Sequence, residues 1–318
     1  MARDRTSPDS DYSLAIRAAW LHYVGGLTQA KVAKKLGVPS LKAHRLIARA
    51  VAEGAVKVSI DSDITECIEL EDRLSTAFGL DTCEIAPDLG EEGVPFKTLA
   101  LAGAERLKRW LDTGNHPVIG IGHGRTLAAA VRAMPRHETT GLSFVSLLGG
   151  LTRNFAANPH DVMHLLAEKT GARAYVMPVP FFANTTQDRH VLLSQNGVKD
   201  VFEIAQNATL KVVGIGTVDA HTQLVTSGMI EQSEITQISE AGGVGEMLGY
   251  FFDDAGNRLE TPLTERTLAV SLDAGKTERI VALAGGPAKV PALRAVLKSG
   301  WLSGLITDEA TARALLAD

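Results

Sequence analysis

A chain of 318 residues with 45% hydrophobic and 22% charged side chains can bury a large core, which excludes wholesale disorder and a single small module. Two cysteines, Cys67 and Cys83, are too few for a disulfide scaffold or a Cys-rich zinc module, and no apolar run reaches the ~18–20 residues of a membrane helix. The net charge of −5 is unevenly spread: residues 1–60 hold ten Lys/Arg against four Asp/Glu, and the rest hold 22 against 33. A basic head on an acidic body points to a polyanion met by the head alone, although a solvated basic face is the plain alternative. The opening Met-Ala-Arg-Asp-Arg-Thr-Ser lacks the apolar core of a secretion signal, and the sparse cysteines suit a reducing compartment, so a cytoplasmic location is expected.

In the head, SLAIRAAWLHYV (residues 13–24) carries Leu14, Ala18, Leu21 and Ile16, Trp20, Tyr23, Val24 at helical spacing, ended by Gly25-Gly26. Thr28 is the expected cap of a second helix over 29–36, and Gly37-Val38-Pro39 is a turn. Ser40 is the expected cap of a third helix over 41–53, closed by Gly54, and residues 55–60 alternate like a short strand.

Two short helices joined by a tight glycine turn form a helix-turn-helix unit. Val32, Leu36, Val38, Ala43, Leu46 and Ile47 supply its buried side, and Ala33 is small where the helices cross. The third helix then presents Lys42, His44, Arg45 and Arg49 to phosphates and base edges, with Arg45 the best base reader because Arg to guanine is the commonest specific contact. Thr28, Gln29 and Ser40, at the two helix starts, join the expected DNA-contacting set.

Residues 61–112 read as a joining region, with a strand over 64–70 and helices over 71–78 and 96–111. From Pro117 one theme recurs, an apolar run that ends in glycines: PVIGIG, FVSLLGG, KVVGIG and RIVALAGG, with LITD preceding a helix over 309–316. Apolar runs alternating with helices predict an α/β domain with a parallel sheet covered on both faces, whose ligand would sit at the glycine-rich strand ends.

The sharpest of these ends is Gly120-Ile121-Gly122-His123-Gly124-Arg125-Thr126. Glycines admit a ligand to the backbone, successive amides favour an anion, and Arg125 and Thr126 add donors, so the run reads as a phosphate or sugar-oxygen cradle. It has no Lys-Ser/Thr pair of a Walker A loop and no third glycine of a dinucleotide fingerprint. Gly149, Gly150, Gly214, Gly216, Gly285 and Gly286 mark the other strand ends, Lys289 offers a second cation, and Glu246 offers a carboxylate from a glycine-rich loop. Tight turns would explain the same glycines without any ligand. The histidines show no metal-ligand spacing, and neither metal nor cofactor is expected.

Taken together these residues resemble the SorC family of bacterial sugar-responsive transcriptional regulators over essentially the whole chain. Ala19-Trp20-Leu21, Gly26-Leu27-Thr28-Gln29, Val32-Ala33, Leu36-Gly37 and Arg45-Leu46 carry the resemblance in the head. In the body it rests on Gly124-Arg125-Thr126, Leu148-Gly149-Gly150, Gly214-Ile215-Gly216, Gly243-Val244-Gly245, Ala284-Gly285-Gly286 with Lys289, and Leu305-Ile306-Thr307-Asp308-Glu309. The resemblance implies a winged helix-turn-helix domain over 1–60 and, over 61–318, an effector and oligomerisation domain similar in fold to sugar-phosphate isomerases and deaminases. It implies a homo-oligomer, usually a tetramer, on operator DNA beside sugar or polyol catabolic genes, switched by a sugar, polyol or sugar phosphate. Gly124-Arg125-Thr126 and Lys289 would then hold a phosphate or an equivalent polar end, and Glu246 the hydroxyls. Regulators of polyol catabolism, of the erythritol type, are the most similar subgroup.

The chain departs from the family pattern at the recognition-helix start, Pro39-Ser40-Leu41-Lys42-Ala43-His44-Arg45, where only the last residue matches. It departs again at His123, where Trp or Ser is commoner, and at Glu246, where Asp is. Repression relieved by the effector is the default expectation. Two rival readings are an isomerase or deaminase with an appended DNA-binding head, which lacks an evident His/carboxylate pair, and a passive architectural DNA binder, which leaves the glycine-looped body without a role.

Overall fold

The computed structural model describes residues 8–56, 65–152, 161–271 and 279–317, and the chain divides into two compact units, Met1–Ser62 and Asp63–Asp318.

The first unit is helical. Helix α1 (Pro8–Ala19) runs on into a π-helical turn, Trp20–Val24, and is followed by α2 (Gln29–Leu36) and α3 (Ser40–Ala52). Thr28 caps α2 by accepting the Lys31 N–H, and Gly37 closes it in the left-handed conformation that L residues with a side chain adopt at a cost. Its core joins Ala15, Ala18, Ala19 and Leu21 of the first helical stretch to Val32, Ala33, Ala43, Leu46, Ile47 and Ala50. Two expectations are corrected. Ser40 is the first residue of α3 rather than its cap, the flanking position being Pro39. The apolar set of the first helix divides into an inward face and an outward stripe, for Ile16, Trp20, Tyr23 and Val24 are exposed. The strand expected over 55–60 falls mostly on residues outside the described ones, and Ala55 and Val56 are irregular.

The second unit opens with α4 (Thr65–Phe78), β1 (Thr82–Ala86), α5 (Phe96–Thr113), β2 (Val118–Ile121), α6 (Arg125–Ala133), β3 (Ser143–Ser146), α7 (Met163–Thr170) and β4 (Arg173–Tyr175). It continues with α8 (Thr186–Ser194), α9 (Asn196–Gln206), β5 (Leu210–Val213), β6 (Gly216–Thr217), α10 (Gln223–Thr226), α11 (Gln232–Glu240), β7 (Gly243–Met247), β8 (Tyr250–Asp253) and β9 (Arg258–Leu259). It ends with β10 (Arg279–Leu283), α12 (Val290–Lys298), β11 (Gly304–Asp308) and α13 (Glu309–Leu316). Seven described strands form a sheet of order β1-β11-β10-β5-β2-β3-β4, every pairing parallel, and β6-β7-β8-β9 form a separate antiparallel sheet.

The strands alternate faces, and each face is apolar, so both must be covered. Ile119, Ile121, Phe144, Leu210, Val212, Val281, Leu283 and Ile306 pack with α5, α6 and α7. Val145, Leu147, Val213, Ile280, Ala282 and Leu305 pack the other way, with α4, α12, α13 and the small sheet. One charge interrupts this second core. Lys211 is fully buried in the central strand β5, and its ammonium donates to the carbonyls of Gln206 (3.1 Å) and Ala208 (2.9 Å).

The region read as a joining segment belongs to this unit. Residues 65–78 form one helix rather than a strand followed by a helix, because Cys67, Leu70 and Leu74 recur at helical spacing and are buried. Thr82–Ala86 is an edge strand paired along its whole length with β11. Glu246 lies on strand β7 of the small sheet rather than in a loop.

Candidate functional site

In the helical unit, Lys42, His44, Arg45 and Arg49 all emerge on the exposed side of α3, since Ala43, Leu46, Ile47 and Ala50 take the buried side. Gln29, first residue of α2, reaches the ring of His44, with Oε1 and Nδ1 3.2 Å apart. The two helix starts thus share a polar contact, and the imidazole is oriented before any ligand arrives. Arg49 is engaged, its Nε donating to Glu53 at 2.7 Å, whereas Lys42 and Arg45 extend from the helix face. Leu41, 63% exposed in the first turn of α3, was absent from the expected set.

In the α/β unit, β2 and β5 are neighbours, yet the chain leaves them in opposite directions, toward β3 and toward β10. The crevice between the two following loops is the topological switch point where open parallel sheets hold ligands. Eight of the expected effector residues, His123, Gly124, Arg125, Thr126, Gly214, Gly216, Glu246 and Lys289, line one cleft of about 70 Å³ there. Gly124 precedes α6 with φ 131°, a conformation left to glycine, so the first amides of α6 open onto the cleft. Arg125 lies over the Phe96 ring at 5.5 Å, and His123 meets Phe181 edge to face at 5.0 Å. Gly214 lets the His123 carbonyl approach to where a side chain would crowd it.

The charges are arranged against their own solvation. Glu246 is 6% exposed, and burial pushes its carboxyl up to about 7 against the weaker pull of the Gly249 N–H and of Lys289. Its Oε1 accepts the Gly249 N–H at 2.7 Å. Burial brings the Lys289 ammonium down to about 8, helped by Arg125 and opposed by Glu246. Its Nζ donates to the Ile215 carbonyl at 2.7 Å. Two cations, a helix N-terminus and a buried carboxylate therefore converge on one small space, which suits a ligand with an anionic or strongly polar end and a hydroxylated body.

The remaining expected residues serve packing instead of lining the cleft. Gly122 donates its N–H to Val212 and abuts Leu248 and Val213. Gly149 packs on the Val179–Pro180 backbone, where an added Cβ would come 2.1 Å from the Pro180 oxygen. Gly149→Ala is accordingly expected to cost about 1–3 kcal/mol, read as a lower urea midpoint, and an unchanged midpoint would contradict this role. Gly150 donates to the Met177 carbonyl. Gly285 and Gly286 make room for the start of α13: Thr311 Oγ1 donates to Asp308 Oδ2 at 2.6 Å, Gly286 N–H donates to Thr311 Oγ1 at 2.7 Å, and a Cβ on Gly285 would strike Asp308.

Phe96, Thr217, His221, Gln223 and Leu248 also line the cleft and were not foreseen. They come from a helix start, the small sheet and the loop after β6, none of which carries a glycine signature. A wider hollow of about 460 Å³ beside α8 is less suited to a charged ligand, since Arg189 donates to the Thr267 carbonyl and Arg258 bonds Glu260. Among the described residues, no helix is long and apolar enough to cross a membrane.

This site belongs to a known architecture. The Sugar-bind family, a sugar-binding domain, matches residues 62–317. The erythritol catabolism regulatory protein EryD of Brucella abortus is 67% identical over 97% of this chain and 98% of its own length. The chain belongs to the SorC family of sugar-binding transcriptional regulators. The transcriptional regulator LsrR of Enterobacter is 31% identical, covering 97% of this chain and 94% of that protein. The full-length sorbitol operon regulator SorC of Klebsiella pneumoniae has the same fold, with a TM-score of 0.69 at 23% identity over 96% of this chain and 99% of that one. This SorC-family chain is a sugar-responsive transcriptional regulator and not an isomerase or deaminase, for the relatives that share its sequence over nearly its whole length are regulators.

Proposed function

We propose that this regulator binds operator DNA through its helical unit, residues 1–60, and is released by a small polyol, or the phosphate of one, bound in the cleft of residues 61–318. The observation that carries the reading is the convergence of Arg125, the α6 N-terminus, Lys289 and Glu246 on one small cleft at the sheet's switch point. Erythritol, the compound in the name of the Brucella relative, is the first candidate effector. Arg125, Thr126 and Lys289 hold its polar or phosphorylated end, while Glu246, with His123, Gln223 and His221 nearby, meets hydroxyls.

On the DNA side Arg45 reads a base edge from the major groove, Lys42 and Arg49 meet phosphates, and Thr28, Gln29, Ser40 and His44 set the register of the two helices. The protein acts in the cytoplasm as a repressor and as a homo-oligomer, a tetramer by its family resemblance, because paired recognition helices need paired half-sites. The effector shifts the balance only by binding the DNA-competent and DNA-incompetent forms with different affinity.

Calorimetry with erythritol and its phosphate tests the cleft. Lys289→Ala and Arg125→Ala each remove a charge-assisted contact of about 1.5–3 kcal/mol, so affinity for the phosphate should fall roughly 10- to 150-fold, with a smaller loss for the free polyol. Wild-type affinity in both variants would remove these residues from the site.

A further inference from the structure

We infer that Glu246 and Gly216 act as one device that limits the length of the effector. This inference rests on the polyol reading of the cleft. Gly216 and Glu246 are opposite residues on the antiparallel pair β6 and β7. The Glu246 side chain folds back over its partner: a Cβ on Gly216 would lie 2.4 Å from Oε2 and 3.4 Å from both Cβ and Cδ of the glutamate. The other oxygen is fixed by the Gly249 N–H at 2.7 Å. With Oε1 held, the carboxylate is a wall of the cleft as well as an acceptor, and glycine at 216 is what leaves room for it.

The neighbouring residue fixes a second charged group. Ile215 holds the Lys289 ammonium on its carbonyl at 2.7 Å, so Lys289 and Glu246 are each seated against one of two consecutive residues, Ile215 and Gly216. A ligand that meets both spans a short fixed distance. The cleft offers about 70 Å³. In so small a cleft, moving a wall by one methylene changes the room for a ligand by a large share. Aspartate at 246 would withdraw the wall by one methylene, and alanine at 216 would push the carboxylate into the ligand space.

The test is calorimetry of the full-length protein with erythritol and ribitol, on wild type, Glu246→Asp, Gly216→Ala and the double variant. A wall misplaced by one methylene is worth about 10- to 200-fold in discrimination. Wild type should favour erythritol over ribitol by at least about tenfold, and Glu246→Asp should collapse that ratio toward unity. Gly216→Ala should lose erythritol affinity, and adding Glu246→Asp should restore part of it. Ligand-free thermal unfolding gives a second readout, in which Gly216→Ala lowers Tm and the double variant recovers part of the loss. An unchanged erythritol-to-ribitol ratio in Glu246→Asp, or a double variant no better than Gly216→Ala in both readouts, overturns this inference and leaves the polyol reading standing. Failure of erythritol, ribitol and erythritol phosphate alike to bind wild type overturns both.

Discussion

Replacing Arg45 with alanine is expected to weaken operator binding by about 2–6 kcal/mol, roughly 30-fold to 10⁴-fold, while leaving effector affinity unchanged. The figure is that of a bidentate base contact, about 1–3 kcal/mol, lost at each of two half-sites. The packing supports an effect on binding without an effect on folding. Arg45 is exposed between Ala43 and Leu46, which carry the burial of α3, so its removal leaves the core intact. Arg49 provides the internal control. Its guanidinium is engaged by Glu53, so Arg49→Ala should cost less and should lower affinity for all sequences alike. Lys42→Ala should also act uniformly and reduce the salt dependence by about one ion. Anisotropy titrations of the cognate promoter fragment against random competitor, at two salt concentrations, separate the three. Equal losses on specific and random DNA for Arg45→Ala would contradict its role as a base reader.

The second large effect lies in the cleft and depends on pH. Without ligand, the combined contribution of Glu246 and Lys289 to the stability of the α/β unit is expected to pass through a minimum between about pH 7 and 8. Burial raises Glu246 from 4.5 to about 7, so between those values the folded state holds a proton that the unfolded chain has released. Stability therefore falls as pH rises through this window, by about 3 kcal/mol, and the cost is fully present once the carboxylate is charged in both states. Lys289 works in the opposite window. Its folded value is lowered from 10.5 to about 8, so above pH 8 the folded state gives up a proton that the unfolded chain keeps, and stability recovers as pH rises toward 10.5. Glu246→Gln should abolish the acid limb and Lys289→Met the alkaline limb. Urea midpoints from pH 5 to 10 check this as differences between variant and wild type. A difference between Glu246→Gln and wild type that stays constant from pH 5 to 7.5 would contradict it.

The same cleft shows how far the sequence could be read. The helical unit was legible because its signals are local: Thr28 caps, Gly37 turns, and Val32, Leu46 and Ile47 repeat with helical period. The parallel sheet was legible because its strands are continuous apolar runs. Glycine was the ambiguous letter. Gly124 faces the cleft and Gly216 makes room for Glu246, but Gly149 clears a backbone and Gly285 clears an aspartate cap. Both demands leave the same residue, and only the fold tells a ligand from a neighbouring chain segment.

The small sheet was read as a loop for a related reason. Gly243 and Gly245 are glycine because Ile238 and Ala292 press on them, not because the chain turns there. Lys211 was hidden inside an apolar run, and its partners are carbonyls that carry no sequence signal. The edge strand β1 was missed because its pairing partner, β11, lies more than 200 residues away.

The central claim is that occupancy of the cleft governs the grip of the helical unit on DNA. It is tested most directly by titrating erythritol, and separately its phosphate, into a preformed complex of the full-length protein with its promoter fragment, followed by fluorescence anisotropy. One of the two should release the DNA from wild type, and Lys289→Ala should need roughly 10- to 150-fold more of the phosphate for the same release. Anisotropy that stays constant up to saturating concentrations of both compounds would contradict the account.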